Sequence, residues 1–294
     1  MNILYKLTVA LIITASIVGC EDPVDVDTGF ENGDVVIDAW ITNESKPQTI
    51  NLLFSQDYFD NRLPTPITDG TVRVTREGAE YAFVHEGGGQ YTWTPAEGET
   101  LGSEGDEFVL TVDVGADTYT ASTSIYATAE IDSISIFFED EAFGGDEGLF
   151  AEVYARDLPG IGDTYWVKSY RNDTLLNKPQ ELNIVYDAAF NPGTDIDGIY
   201  FIRPLRFAIN ALDEDGLPRS LNTGDKVGAE VHSISNEGFR FLQTVQEQTT
   251  NGDNGLFALP VANAISNITN TTGESKPLGF FNIAAVSFME RTVE

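Results

Sequence analysis

Two histidines, His85 and His232, are the side chains best suited to acid–base catalysis or metal binding near neutral pH. Both lie in alternating strand patterns, His85 on the same face as Tyr81 and Phe83. Two histidines exclude a three-histidine metal site, and no Ser-His-Asp arrangement or G-x-S-x-G motif supports a hydrolase. We therefore expect both histidines to have structural or surface roles.

Two acidic loops have the composition of a calcium site. Asp195-Ile196-Asp197-Gly198 and Asp213-Glu214-Asp215-Gly216 each place carboxylates two positions apart before a glycine. Calcium takes about six to eight oxygen ligands, and neither loop completes the longer EF-hand frame. Asp with Gly is also the usual composition of a solvated turn. The sequence predicts no cofactor, with structural calcium at these loops as an alternative.

Acidic and aromatic residues leave other chemistries open. Two carboxylates flanking a sugar bond could hydrolyse a glycoside, but among 47 acidic residues the sequence singles out no pair. Trp40, Trp93 and Trp166 could form a sugar-stacking platform, yet each lies in a strand pattern, which favours packing within or between sheets. Tyr58 and Phe59, in the loop 56–61, are better candidates for contact with a partner.

Cys20 is the only cysteine, so the chain can form no internal disulfide and no cysteine-based zinc site. It follows Lys6 and the apolar run 7–18, which is too short to span a bilayer and is typical of a signal peptide. Ile17-Val18-Gly19-Cys20 resembles a lipobox, where a bacterial lipoprotein is acylated on cysteine and cut just before it. We predict that residues 1–19 are a signal peptide and that Cys20 carries lipid; the alternative is an ordinary buried thiol.

Residues 20–34 are predicted to form an acidic tether. Glu21, Asp22, Asp25 and Asp27 follow the cysteine with no basic residue among them. This stretch resembles the export signal of Bacteroidota surface lipoproteins, which implies an outer-membrane protein that faces the cell exterior; a tether without a message is the alternative. The net charge of -31 excludes unassisted binding to nucleic acid, whose phosphates must be neutralised by Lys and Arg.

Alternation of period two from residue 35 to 126 predicts β-strands separated by Gly, Pro and Asp turns. The predicted strands are 35–41, 49–54, 70–76, 81–85, 90–93, 108–114 and 118–125. Short strands at this spacing favour an antiparallel β-sandwich of immunoglobulin or transthyretin-like kind. Residues 35–126 are therefore predicted to be a β-sandwich domain.

Residues 127–294 are predicted to form a second β-rich domain with one helix near its C-terminal end. Its predicted strands are 134–138, 149–156, 163–170, 182–186, 199–210, 226–234 and 279–286. Phe239, Leu242 and Val245 have helical spacing within 236–249, and Ser235 or Asn236 can cap that helix. The predicted fold class is all-β dominated.

Short motifs follow the lipobox in a defined order. They are Val35-Val36-Ile37-Asp38-Ala39-Trp40-Ile41-Thr42, Gly89-Gln90-Tyr91, Gly224-Asp225-Lys226-Val227, Ser233-Ile234-Ser235, Gly255-Leu256-Phe257 and Leu278-Gly279-Phe280-Phe281. In this order they resemble a Bacteroidota lipoprotein family, the domain-of-unknown-function family 4249, over essentially the whole mature chain.

The resemblance implies an outer-membrane lipoprotein encoded beside SusC-like TonB-dependent transporters. It implies a non-catalytic binding or accessory subunit that acts in nutrient capture or transporter assembly, with no catalytic residues to carry over. Two alternatives stay open: a structural or adhesive cell-envelope lipoprotein, and a surface hydrolase that would need converging acids with displaced pKa values.

Overall fold

The computed structural model describes residues 33–56, 60, 62–140, 145, 147–193, 196–250 and 262–294. In chain order the strands are β1 (Val35–Thr42), β2 (Gln48–Phe54), β3 (Thr71–Arg76), β4 (Ala79–Gly87), β5 (Gln90–Trp93), β6 (Glu107–Val114), β7 (Asp117–Ser124), β8 (Ile131–Glu139), β9 (Gly148–Ala155), β10 (Thr164–Arg171), β11 (Thr174–Leu175), β12 (Asn183–Tyr186), β13 (Lys226–Ile234), β14 (Thr269–Asn270), β15 (Leu278–Ala284) and β16 (Val286–Thr292). The helices are α1 (Arg203–Phe207) and α2 (Asn236–Thr249), and Pro179–Glu181 forms one 3-10 turn. The prediction of an all-β-dominated chain is confirmed.

The first sheet has the strand order β14-β7-β6-β3-β4-β5-β2-β1-β15. Its strands bury alternate residues: in β6, Phe108 and Leu110 are buried and Val109 between them is exposed. The sheet curls so that β15 also contacts β7, which encloses one core in a β-sandwich-like manner. All seven strands predicted between residues 35 and 125 are present.

Strand β1 is paired on both sides, antiparallel to β2 and parallel to β15. In the parallel pair Ile37 lies opposite Gly279, whose φ is 95°. The side-chain amide of Asn267 satisfies β15 on its other side, donating to the Phe281 carbonyl at 2.9 Å and accepting from the Phe281 N–H at 3.0 Å. A segment from the end of the chain therefore completes the first sheet.

The second core lies between the hairpin β8–β9 and the sheet β11-β10-β13-β16, to which β12 adds by pairing with β10. Val153 of the hairpin and Val167 and Val231 of the sheet are buried in it. Helix α1 adds Leu205 to the same core.

The strand predicted over residues 199–210 is wrong, because α1 occupies the middle of this segment. Phe201, Phe207 and Ile209 are buried two or more positions apart, and this spacing imitates strand alternation. Pro204 lies in the first turn of α1, where its missing N–H has no intrahelical partner to lose. In a sheet the same proline would break the hydrogen-bond ladder.

The chain passes from the first core to the second between Ile125 and Ala129. It later returns to the first core with Ile268 and Phe281. The predicted domains 35–126 and 127–294 meet at a single boundary. This boundary does not separate the two sheets, because β14 and β15 of the second predicted domain pair with strands of the first sheet.

Helix α2 packs at the junction of the two sheets. The Ser235 hydroxyl accepts a hydrogen bond from the Gly238 N–H at 3.0 Å, and Phe239 and Leu242 are buried, which confirms the predicted helix and cap. None of the helices in the described ranges combines the length and apolar character needed to cross a bilayer.

An aromatic cluster joins the sheets beside α2. Trp40 of β1 meets Trp166 of β10 edge-on with ring centroids 5.4 Å apart and stacks on Phe280 of β15 at 5.2 Å. Trp93 instead packs edge-on against Tyr81 at 5.2 Å, next to the first core. The three tryptophans thus have the packing roles that their strand positions predict.

Candidate functional site

Polar and aromatic side chains cover the outer face of the second sheet. In β10, Val167 and Ser169 are buried on the core side, so Trp166, Lys168 and Tyr170 lie on the opposite face. Strand β13 places its even-numbered residues from Lys226 to His232 beside them through the antiparallel register. Strand β16 pairs with the other side of β13 and adds Phe288 and Glu290 to the same face. The face is therefore a continuous surface built by the three paired strands β10, β13 and β16.

A cavity of about 210 Å³ opens on this face. We call it the Gly228 notch, and it is lined by Tyr170, Asp173, Lys226, Gly228, Glu230, Phe288 and Glu290. Tyr170 lies opposite Gly228 in the register, and Gly228 lies opposite Glu290. A Cβ added at Gly228 would lie 3.5 Å from Cε2 of Phe288 and 3.6 Å from Cβ of Tyr170. The two aromatic residues thus flank the space that a side chain at position 228 would occupy.

Glu230 is a fixed negative charge in the notch. Its Oε2 accepts hydrogen bonds from the Tyr170 hydroxyl at 2.9 Å and from Nε2 of His232 at 2.8 Å. Burial by itself would raise the pKa of Glu230, but these hydrogen bonds outweigh burial and hold the pKa well below its usual range. Its Oε1 lies 3.9 Å from Nζ of Lys46, which belongs to the turn between β1 and β2.

His232 positions this carboxylate. The ring is buried, and burial lowers its pKa to about 4, so it is neutral at neutral pH. Nε2 carries the proton, because the carboxylate of Glu230 can only accept. Within the described ranges no hydroxyl or thiol forms a hydrogen bond with this ring. His85 packs against Tyr91 with ring centroids 5.0 Å apart, so both histidines contact neighbouring side chains of the fold.

Two lysines complete the electrostatics of this face. The Lys168 ammonium lies 4.2 Å from the centroid of the Trp166 ring, and burial lowers its pKa. Lys226 forms ion pairs with Asp173 and, at 3.4 Å, with Glu290. The lining of the notch therefore combines three carboxylates with one ammonium group.

Asp157 is a second acid with a displaced pKa. It is 2% exposed, and its two oxygens accept from the Tyr165 hydroxyl at 2.9 Å and from the Gly198 N–H at 3.1 Å. Burial raises the pKa of Asp157 to about 6, and the charges of Asp187 and Asp163 add to the shift. A raised carboxyl pKa is frequent among catalytic acids, but both oxygens here are bonded to the fold.

Asp157→Asn is expected to stabilise the protein progressively as the pH rises from 4 to 7. The unfolded carboxyl titrates near 3.8 and the folded one near 6, so ionisation favours the unfolded chain across this interval. Between pH 4 and pH 7 we expect the free energy of unfolding of the variant to rise by about 2 kcal/mol relative to that of the wild type. Urea denaturation of both proteins at several pH values measures this gain. The difference at pH 4 is the internal reference, and a difference that does not change with pH would contradict the prediction.

The two loops predicted as alternative calcium sites are described to different extents. The loop 213–216 lies wholly within the described residues, whereas the loop 195–198 does not. Oδ1 of Asp213 accepts from the N–H groups of Asp215 and Leu217, both at 2.9 Å, which is the geometry of a solvated Asp turn. Among the residues that the structure describes, no three His, Cys, Asp or Glu side chains are placed to hold a metal ion. Asp195, Cys20, Tyr58 and Phe59 lie outside the described residues, so the predictions made for them stay predictions.

The family model described as Domain of unknown function (DUF4249) matches residues 21–288. The chain belongs to this family. The prediction of DUF4249 membership is confirmed, and the match begins directly after Cys20. A comparison with curated proteins finds no match.

Sequence reasoning missed the central residues of this DUF4249 site. Tyr170 and Phe288 look like ordinary strand aromatics, and Glu230 is one acid among 47. The available signal was Gly228, since a glycine inside a strand often marks a close approach by a ligand or another backbone. Only the pairing of β13 with β10 and β16 places these residues around one cavity.

Proposed function

We propose that this DUF4249 protein is a lipid-anchored outer-membrane protein that faces the cell exterior. In this proposal it is a non-catalytic binding or accessory subunit of a SusC-like TonB-dependent transporter, acting in nutrient capture or transporter assembly. The observation that carries the proposal is the position of Cys20. The only cysteine ends a lipobox-like sequence, and the family match begins at the next residue.

The length of the segment after Cys20 suits a tether. Thirteen peptide bonds join Cys20 to Gly33, and a chain of this length spans at most about 45 Å. Two or more acyl chains on the cysteine would anchor it stably. The acidic residues that follow would be repelled by an anionic lipid surface, which favours a body held away from the membrane.

The direction of β1 suits a binding face turned away from the lipid. The tether enters at Val35, and β1 runs to Thr42, about 23 Å away for a strand of this length. The turn that follows brings Lys46 next to Glu230. In the proposed arrangement the Gly228 notch therefore lies toward the end of β1 that is remote from the anchor.

The chemistry of the notch suits binding better than proton transfer. Glu230 keeps its negative charge at neutral pH, and its neighbour His232 stays neutral. Neither group changes protonation near pH 7, as a general acid or base would have to do. Fixed charges between aromatic side chains are instead typical of recognition.

The test is carried out in the native host with a Cys20→Ser variant. We expect the wild type to incorporate an alkyne-labelled fatty acid and to fractionate with the outer membrane. After gentle detergent extraction it should co-purify with a large β-barrel protein. Cys20→Ser should lose the label completely, since serine lacks the thiol that is acylated. Ser16→Ala, a small change inside the same leader, is the matched control and should behave as the wild type.

Two results would contradict the proposal. Mass spectrometry that finds the Cys20 sulfur unmodified in the mature protein removes the anchor. Recovery of the labelled protein only as a free monomer would contradict the association with a transporter. A deletion strain with normal nutrient uptake and altered attachment would then favour the adhesive alternative.

A further inference from the structure

Gly228 has no role in folding that explains a glycine. It is the third residue of the nine-residue strand β13, which is paired on both sides, and its φ lies outside the left-handed range that favours glycine. An added Cβ would meet its neighbours at 3.5 Å or more, which is ordinary van der Waals contact. Glycine inside a strand lowers stability by about 0.5–1 kcal/mol relative to alanine. The missing side chain therefore leaves space that the fold itself does not require.

Two aromatic side chains, Tyr170 and Phe288, form the walls of this space. The Tyr170 ring is fixed because its hydroxyl donates to Glu230. Phe288 is 53% exposed, and its Cε2 is the atom nearest to the position of a Cβ at Gly228. A large exposed aromatic side chain beside an open slot gives an apolar stem a surface to pack on, and its π face attracts a cation.

The charge of the notch favours a cationic ligand. Asp173 and Glu290 share Lys226, whereas the Oε1 atom of Glu230 lies 3.9 Å from Nζ of Lys46, and Lys168, opposite Glu230 in the register, acts on it through its charge without a described ion pair. The separation of 3.9 Å is too long for a hydrogen bond. A donor that enters between Tyr170 and Phe288 would find an ionised, partly desolvated acceptor, where a charge-assisted hydrogen bond is strongest.

The volume limits the ligand to one side chain. The cavity of about 210 Å³ is smaller than the roughly 300–1,000 Å³ of sites for drug-sized molecules. We propose that the Gly228 notch binds an aliphatic ammonium or guanidinium group, as carried by lysine and arginine, with its stem between Tyr170 and Phe288 and its charge at Glu230. This inference goes beyond the transporter role and holds whether or not the protein has such a partner.

The test is a binding titration of the purified full-length protein in detergent, followed by calorimetry. The probes are the N-acetyl methylamides of lysine, arginine and norleucine; norleucine has a similar stem but no charge. We expect the lysine and arginine probes to bind at least about tenfold more tightly than norleucine. Their affinity should fall as NaCl is raised, because salt screens the partly exposed carboxylates. Free lysine in a parallel titration distinguishes an amino acid from a peptide as the source of the group.

Variants of the notch make the assignment specific. Gly228→Val fills the slot with a residue that strands favour, and we expect it to weaken binding of the lysine probe more than tenfold while the unfolding midpoint is maintained. Phe288→Ala should weaken binding about fivefold to tenfold. Phe138→Ala, which truncates a 59% exposed phenylalanine of β8, is the matched control and should bind as the wild type.

Three outcomes would overturn the proposal: equal affinity for the lysine and norleucine probes, wild-type binding by Gly228→Val, and the absence of saturable binding. If Gly228→Val fails to fold, Gly228→Ala and Phe288→Ala replace it, since alanine adds only a Cβ at ordinary contact distance. The titration uses purified protein and tests only the ligand of the notch, whereas the labelling and co-purification experiments test the anchor and the transporter. A negative result in one set therefore does not contradict the other proposal.

Discussion

Gly279→Ala is expected to lower the free energy of unfolding by about 3 kcal/mol or more. Gly279 has φ 95°, a conformation that L-residues rarely adopt, and an added Cβ would lie 2.1 Å from the carbonyl oxygen of Ile37. The obstacle is backbone, so no rotation of a side chain can relieve the clash. Relief would require β15 to move away from β1, which would open the first sheet. Urea denaturation followed by circular dichroism measures the loss.

Gly228→Ala is the matched control, because it makes the same chemical change in another strand glycine. Position 228 has an allowed backbone conformation and space for a methyl group, so alanine should be neutral or should stabilise by about 0.5–1 kcal/mol. Equal losses for the two variants would show that the close approach of Gly279 to Ile37 does not govern the stability of this sheet.

Trp40→Ala is expected to destabilise the protein by about 3 kcal/mol, the lower end of the range for buried tryptophan because this side chain is half-buried. The indole contacts Trp166, Phe280 and Phe241, with ring centroids 5.4, 5.2 and 6.1 Å away. These three residues belong to β10, β15 and α2, so the substitution removes a contact shared by both sheets and the helix. Denaturation followed by circular dichroism measures the loss.

Trp40→Phe tests whether the loss comes from aromatic packing at the junction. Phenylalanine keeps a ring between the sheets, so we expect less than half of the loss seen with alanine. A Trp40→Ala protein as stable as the wild type would mean that the two sheets are held together without this cluster.

Local patterns were sufficient for most of the secondary structure. Alternation in β6 and β7 separates buried from exposed residues along each strand, and Ser235 followed by Phe239 and Leu242 defines helix α2. These signals depend on neighbours two to four positions apart, so they can be recognised without the rest of the fold. The same alternation failed over residues 199–210, where Pro204 was the better guide.

The candidate site needed contacts that no local pattern contains. Tyr170, Gly228 and Phe288 come from three separate strands, and each is unremarkable within its own. The low pKa of the buried Glu230 carboxylate depends on hydrogen bonds from Tyr170 and His232, which outweigh burial. A composition with 47 acids hides such a residue.

The sequence by itself determined that the chain is rich in strands and that helix α2 begins at its cap. It also placed the only cysteine, Cys20, at the end of a lipobox-like segment. Only the tertiary structure decided that β15 returns to pair in parallel with β1 and that three strands meet around Gly228. The physical reason is that period two assigns each side chain to a face but leaves the neighbouring strand open. Partner and register follow from the burial and hydrogen bonding gained between distant segments, as at Ile37 and Gly279.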